Sequence, residues 1–270
     1  RSHRPAGLHT LPGADEMKLG RFMDDAYRGL NKGRSLRSEK GDPIFSLDDL
    51  GERLGTRPSR MEVEELLPQD PGTLKRLVES DPGNRYQVIW GHLSSIAAER
   101  SQQPLHLPAG NYAGLELSRG TIILEMGGDH VGERMKGGRI YLRQAAGDYL
   151  GQEMTGGGIV SRGAGNYAFR RMSGGLGVIK GDCGNFLGLG CSGGKVVCQG
   201  SCGERAGWLM SSGSLRIHGD AGDYLGLLMK GGRITVFGRV GRRAGWRMKG
   251  GTIRGKAFGP EAADGVFGLD

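Results

Sequence analysis

GDYLGQEMTGGGI at residues 147–159 and GDYLGLLMKGGRI at residues 222–234 are two copies of one segment, and their spacing decides the fold. GNFLGLGCSGGKV at 184–196 is a third copy. Related segments open at Gly128, Gly147, Gly165, Gly184, Gly203, Gly222 and Gly241, in steps of 19, 18, 19, 19, 19 and 19 residues. A degenerate copy opens at Gly110. A fixed period of this length marks a repeat architecture in which each unit stacks on the next. Within each unit the apolar residues alternate, as in Ile140 and Leu142, Leu215 and Ile217, or Ile234 and Val236. That is the period of a strand with one buried face, not of a helix. Glycine pairs such as Gly137-Gly138, Gly156-Gly157, Gly231-Gly232 and Gly250-Gly251 mark corners, where a chain needs positive φ or close approach. The expectation is an all-β, right-handed parallel β-helix of seven to eight coils over residues 86–259, with two or three short strands per coil. Eight coils at ~4.8 Å make a rod of roughly 35–40 Å.

Composition agrees. The 270 residues include 53 glycines, nearly one in five against about 7% in an average protein. There are 10 prolines and no Gly-X-Y period, so collagen is excluded. Hydrophobic residues make up 37% and aromatics 6%, too many for a disordered chain and few for a thick core. No apolar run approaches the roughly 18 residues a membrane helix needs, and no signal-peptide pattern opens the chain, so a cytoplasmic location away from membranes is expected.

Stacking places equivalent positions in columns. Seven residues after each opening glycine stand Met135, Met154, Met172, Cys191, Met210, Met229 and Met248, a column of adaptable apolar side chains for the core. Three residues after it stand Val131, Leu150, Ala168, Leu187, Ala206, Leu225 and Ala244. Trp208 and Trp246 follow the small Ala206 and Ala244, which predicts large and small residues trading places inside. Asp129, Asp148, Asn166, Asn185 and Asp223 follow their glycines, as turn residues that bond a nearby backbone N–H. Glu204 and Arg242 interrupt that series, which argues against a calcium ladder.

Residues 1–85 differ in kind. They read as an N-terminal arm or small helical segment, with helical pieces at 15–30, 46–54 (Ser46 as cap) and 60–67 broken by Pro43, Pro58, Pro68 and Pro71. Tyr86 to Trp90 reads as strand-like, opening the β-helix, and residues 260–270 as a loose tail.

Four cysteines, Cys183, Cys191, Cys198 and Cys202, contain no CxxC and read as reduced, mostly buried thiols. The six histidines are scattered, and no nucleophile elbow, P-loop or paired-His motif occurs. No catalytic residue and no metal site is expected. Net charge is +8 and unevenly placed: residues 1–90 hold 15 basic and 15 acidic residues, residues 91–259 hold 22 and 11. From 239 to 256 stand Arg239, Arg242, Arg243, Arg247, Lys249, Arg254 and Lys256 with no acidic residue among them. This basic last coil is the candidate binding surface, for an acidic partner subunit or an anionic carrier such as an oligoglutamate tail. No aromatic platform interleaves its charges, so nucleic acid is not an expected partner.

The unit G-D-Y-L-G-x-x-M-x-G-G-x-I, and above all GDHVGERMKGGRI at 128–140 with the Met-x-Gly-Gly column, resembles the GXGXG β-helix family. That family includes the C-subunit of formylmethanofuran dehydrogenase and the C-terminal domain of the glutamate synthase large subunit. The resemblance covers roughly 91–258 and departs at Phe169, where a coil glycine belongs, at Cys191 for Met, and in the long N-terminal segment. It implies a non-catalytic structural subunit of a complex that transfers and hydrolyses formyl groups on a methanofuran-type carrier. The implied partners are an amidohydrolase-like hydrolase subunit holding zinc, a formyltransferase subunit and a dehydrogenase-like subunit. The alternatives are the C-subunit of the archaeal formylmethanofuran dehydrogenase, with molybdenum or tungsten and iron–sulfur clusters in other subunits, and a glutamate-synthase-type scaffold domain. The Arg-rich composition, 27 Arg to 10 Lys, favours the bacterial formyltransferase/hydrolase version.

Overall fold

The computed structural model describes residue 44 and residues 46–269. The helical piece expected at 15–30 lies outside the described residues. Residues 44–270 form one compact unit. Among the described residues four helices come first: α1 (Leu47–Leu54), α2 (Arg60–Leu66), α3 (Pro71–Glu79) and α4 (Gln87–Arg100). Ten strands follow: β1 (Leu105–Leu107), β2 (Thr121–Leu124), β3 (Arg139–Leu142), β4 (Gly158–Ser161), β5 (Leu176–Ile179), β6 (Ser192–Cys198), β7 (Ser212–Ile217), β8 (Arg233–Val240), β9 (Thr252–Phe258) and β10 (Val266–Gly268). They make one parallel sheet in chain order, the right-handed β-helix of about eight coils.

Register follows the sequence period. Ile122, Ile140, Ile159, Gly177, Val196, Leu215, Ile234 and Ile253 are successive partners across β2–β9. Met135, Met154, Met172, Cys191, Met210 and Met229 are buried, and Met248 is partly buried. The methionine methyl of one coil fills the space beside the second glycine of the next coil's pair. A Cβ on Gly175 would lie 2.6 Å from Met154 Cε, and one on Gly251 2.6 Å from Met229 Cε. The Met-x-Gly-Gly signature is therefore a packing unit shared between coils.

Each coil has one strand, with isolated bridges joining Ala164, Cys183, Cys202, Ala221 and Val240 on another side, rather than the two or three strands expected. The GDYLG segment is not extended, because its third, fifth and seventh residues are left-handed. In the coil from Gly147 these are Tyr149 (φ 61°), Gly151 (φ 64°) and Glu153 (φ 57°). The alternation sends successive N–H groups to opposite neighbours: Tyr149 to Asn166 O at 2.9 Å, Gly151 back to Val131 O at 2.8 Å, Glu153 to Arg170 O at 2.8 Å. A left-handed non-Gly residue costs about 1–2 kcal/mol, and these inter-coil bonds offset it.

One coil breaks the pattern and shows why the pattern holds. In regular coils the space beside the fifth-position glycine takes the Cδ1 of the next coil's strand isoleucine, as with Gly132 and Ile159 or Gly226 and Ile253. In the coil from Gly165 the glycine is replaced by Phe169 (φ 56°), and the strand residue is Gly177. The fully buried Phe169 ring occupies what an isoleucine at position 177 would fill: a Cβ on Gly177 would meet ring carbons at 2.3–2.6 Å. Large and small do trade places, but here, and not at the tryptophans. Trp246 is exposed and Trp208 half-buried, since the position two beyond the Leu/Ala column faces outward.

The helices close the first coil. α1 and α2 carry capping boxes, Ser46 with Asp49 and Ser59 with Glu62, and Asp70 caps α3 with Pro71 at its first position. Tyr86 to Trp90 is not a strand: Tyr86 caps α4, which is buried on nearly every side. A short apolar run does not distinguish a strand from a buried helix. α4 lies across the coil end, with Gly91 against the Tyr112 carbonyl and Gly110 against the Trp90 ring. Its Ser94 Oγ accepts the Gly114 N–H at 3.0 Å, and Ser95 Oγ donates to Leu115 O at 2.7 Å. The helices from residue 44 share one core and one compact unit with the β-helix, so the small helical segment serves as its cap. Residues 260–269 are not a loose tail. Arg243 N–H bonds Pro260 O at 3.0 Å, Ala263 N–H bonds Ala244 O at 2.9 Å, and β10 pairs with β9.

Candidate functional site

The opening turns build two hydrogen-bond ladders on the surface. The side-chain oxygen of each Asx residue accepts the backbone N–H of its counterpart one coil on. Asn111 takes Asp129 (2.8 Å), Asp129 takes Asp148 (2.8 Å), Asp148 takes Asn166 (2.6 Å), Asn166 takes Asn185 (2.9 Å) and Asn185 takes Glu204 (2.8 Å). Asp182, Ser201, Asp220 and Arg239 form a shorter parallel series. These oxygens serve backbone donors, and no group of three metal-ligating side chains occurs among the described residues.

The next position forms a column that the repeated Tyr of the unit marks only in part. Tyr112, His130, Tyr149, Tyr167 and Phe186 stack with ring centroids 4.5–5.0 Å apart and planes within 11° of parallel. Arg205 then bridges Phe186 (5.7 Å) and Tyr224 (5.4 Å), and Arg243 lies over Tyr224 (5.7 Å) and Trp246 (5.1 Å). Eight coils thus share one planar column, and all eight members are left-handed, with φ of 56–63°. The common property is a flat π-face or guanidinium, which survives changes of residue type and hides from a search for identical residues. An aromatic series therefore does run up to the basic coil.

The basic residues of that coil do not converge. Arg242 pairs with Asp223 at 3.2 Å, and Arg243 with Glu261 at 2.7 Å and the Tyr224 hydroxyl at 2.7 Å. The Arg242 backbone N–H, then its side chain, hold the Asp223 carboxyl below its usual range. Arg247 and Lys249 follow on the next turns, and Arg254 projects from β9. Arg239, Arg247, Lys249 and Arg254 make no ion pair among the described residues. The acidic partners come from the preceding coil and the C-terminal segment, so the local sequence concealed them.

Three cysteines gather at one corner. Cys183 and Cys202 are bridge partners, and Cys183 Sγ lies 3.7 Å from Cys198 Sγ. All four thiols are free. Contact with the Cys198 and Cys202 thiols, then burial, raises Cys183, and burial pushes Cys191 up to about 12. Thiols so protonated are poor nucleophiles.

The outer face of the sheet carries an unfilled depression. Ile123, Tyr141, Val160, Val178 and Val197 alternate with the buried residues of β2–β6 and face outward. Tyr141 and Leu176 are each 41% exposed. They line a shallow open depression of about 640 Å³ rimmed by Arg119 and Arg139. Among the described residues no helix is long and apolar enough to cross a membrane. No protein-family model matches the chain, and no curated protein matches it.

Proposed function

We propose that the chain is a non-catalytic structural subunit, of the C-subunit type, in a complex that transfers and hydrolyses formyl groups on a methanofuran-type carrier. The glycine–methionine repeat supports the family reading. The uncovered outer sheet face is the observation that carries the scaffold reading. Parallel sheets are ordinarily covered on both faces, and among the described residues this one is covered only by its own core. An outward row of Ile, Tyr and Val beside Leu176 is the kind of surface that partner subunits bury. The unpaired Arg239, Arg247, Lys249 and Arg254 suit an acidic neighbour or an anionic carrier tail.

The test is co-purification. Chains captured with the tagged protein from its source are identified by mass spectrometry and assayed for formyl transfer and hydrolysis. A zinc amidohydrolase-like chain and a formyltransferase supports the reading. A flavin synthase in their place selects the glutamate-synthase-type scaffold. Formyl-carrier turnover by the pure chain refutes a non-catalytic role. Replacing Tyr141 and Val160 by Arg is expected to release the partners with the chain's melting temperature unchanged. Undiminished capture removes the sheet face as the docking surface.

A further inference from the structure

The stacked column is closed at one end and open at the other. At the C-terminal end Arg243 is sandwiched between Tyr224 and Trp246 and held by Glu261. At the N-terminal end, among the described residues, Tyr112 has a ring neighbour on one side only, His130 at 4.5 Å. The residues one period earlier form α4, and a helix there supplies no further rung. Beside Tyr112 lies a cleft of about 350 Å³, lined by Thr56, Arg57, Asn84, Arg85, Gln87 and Val88 besides Tyr112 itself. Neither Arg57 nor Arg85 makes an ion pair among the described residues, and Arg85 instead rests over the Tyr86 ring at 5.1 Å. Gln87 is held in place, accepting from Asn111 Nδ2 at 3.0 Å and donating to Gly83 O at 3.0 Å. Asn84 adds a polar amide to the rim.

The geometry points to a binding site for a purine nucleoside monophosphate at this end, its base stacked on Tyr112 as the next rung and its phosphate held by Arg57 and Arg85. A flat ring continues a column whose spacing is already that of stacked aromatics. Two unpaired guanidiniums beside it fit a phosphate bidentately. The cleft sits at the low end of small-molecule site volumes, which favours one base and one phosphate over a dinucleotide. Asn84, whose Oδ1 accepts from Gln87 Nε2 at 3.4 Å, offers the base edge its amide donors. This site is independent of the scaffold role proposed above.

Calorimetric titration of the full chain with AMP tests it, with adenosine and inorganic phosphate as separate probes. Saturable one-to-one binding of AMP is expected, tighter than either probe and weakening with salt. Tyr112→Leu is expected to weaken it at least about tenfold, as loss of a base-stacking aromatic does. Tyr224→Leu, an equal cut inside the same column, leaves AMP affinity unchanged and separates stacking with ligand from stability. The exposed pair Arg57→Ala/Arg85→Ala is expected to cut AMP affinity by a similar factor while leaving adenosine binding as it was. No AMP binding up to about 5 mM overturns the site, since that is weaker than even millimolar affinity. AMP affinity indifferent to both Tyr112 and the arginine pair overturns it too. Phosphate binding as tight as AMP overturns the stacked base.

Discussion

The exchange between Phe169 and Gly177 makes a double-variant prediction far smaller than the sum of its parts. Phe169→Gly empties the space of a fully buried ring. Truncating a core Phe costs about 3–5 kcal/mol, and relief of the left-handed backbone at φ 56° returns about 1–2, leaving about 3. Gly177→Ile alone drives a side chain into a ring whose carbons would lie 2.3–2.6 Å from its Cβ. Overpacking of that kind costs about 3 kcal/mol. Independent sites would sum to about 6 kcal/mol. The double variant instead restores the regular coil. A glycine at position 169 takes its place between Gly151 and Gly188, and an isoleucine at position 177 pairs between Ile159 and Val196. The new Cδ1 then lies beside Gly151, as that of Ile159 lies beside Gly132. The double variant is expected within about 1–2 kcal/mol of the parent, which at about 2 °C per kcal/mol is a melting point some 8 °C above the additive value. Thermal melts of the four proteins by circular dichroism decide it. A double variant that melts at the sum of the single losses refutes the shared-space argument.

Other consequences are simpler. Asp148→Ala removes the acceptor of the Asn166 N–H and is expected to lower stability by about 1–2 kcal/mol, whereas Asp148→Asn, which keeps the acceptor, is close to neutral by thermal melt. His92 in α4 is 1% exposed, neither ring nitrogen makes a well-aligned hydrogen bond among the described residues, and burial lowers its pKa to about 4, with Glu116 and the Pro58 backbone opposing and Arg134 and Arg60 adding to the shift. The unfolded chain therefore binds this proton first, so stability is full above about pH 6.5 and falls towards pH 4 by up to about 3 kcal/mol. His92→Leu is expected to flatten that limb of a pH-dependent melt, and an unchanged slope contradicts the assignment. Glu99 ties α4 to α2 and to the first coil, pairing with Arg60 and accepting the Ser118 N–H at 2.7 Å. Glu99→Gln leaves the Arg60 charge half-buried and is expected to cost about 2–3 kcal/mol in urea denaturation, with a loss under about 0.5 kcal/mol contradicting the clasp.

The period was legible because stacking forces like residues into columns, and a column of identical type, such as Met135 to Met248, repeats as letters. The Asx series was legible for the same reason, but its oxygens bond the N–H of the next coil, 18 or 19 residues on, rather than a neighbour in the same turn. The planar column was only half legible: Tyr112, Tyr149, Tyr167 and Tyr224 repeat as letters, whereas His130, Phe186, Arg205 and Arg243 share with them a flat face rather than a letter. The single strand per coil escaped because left-handed Tyr149 or Phe186 carries no mark that separates it from a strand aromatic.

Taken alone, then, the chain's letters determined how many coils stack and which side chains fill their centre, since both follow from a nineteen-residue spacing and local alternation. The ends were decided only in three dimensions. A terminal coil lacks a neighbour, so whatever segment reaches it must satisfy its backbone and charges. Here α4 does so at one end, and Asp223, Glu261 and β10 do so at the other. Those contacts join residues of unlike sequence, and no repeat announces them.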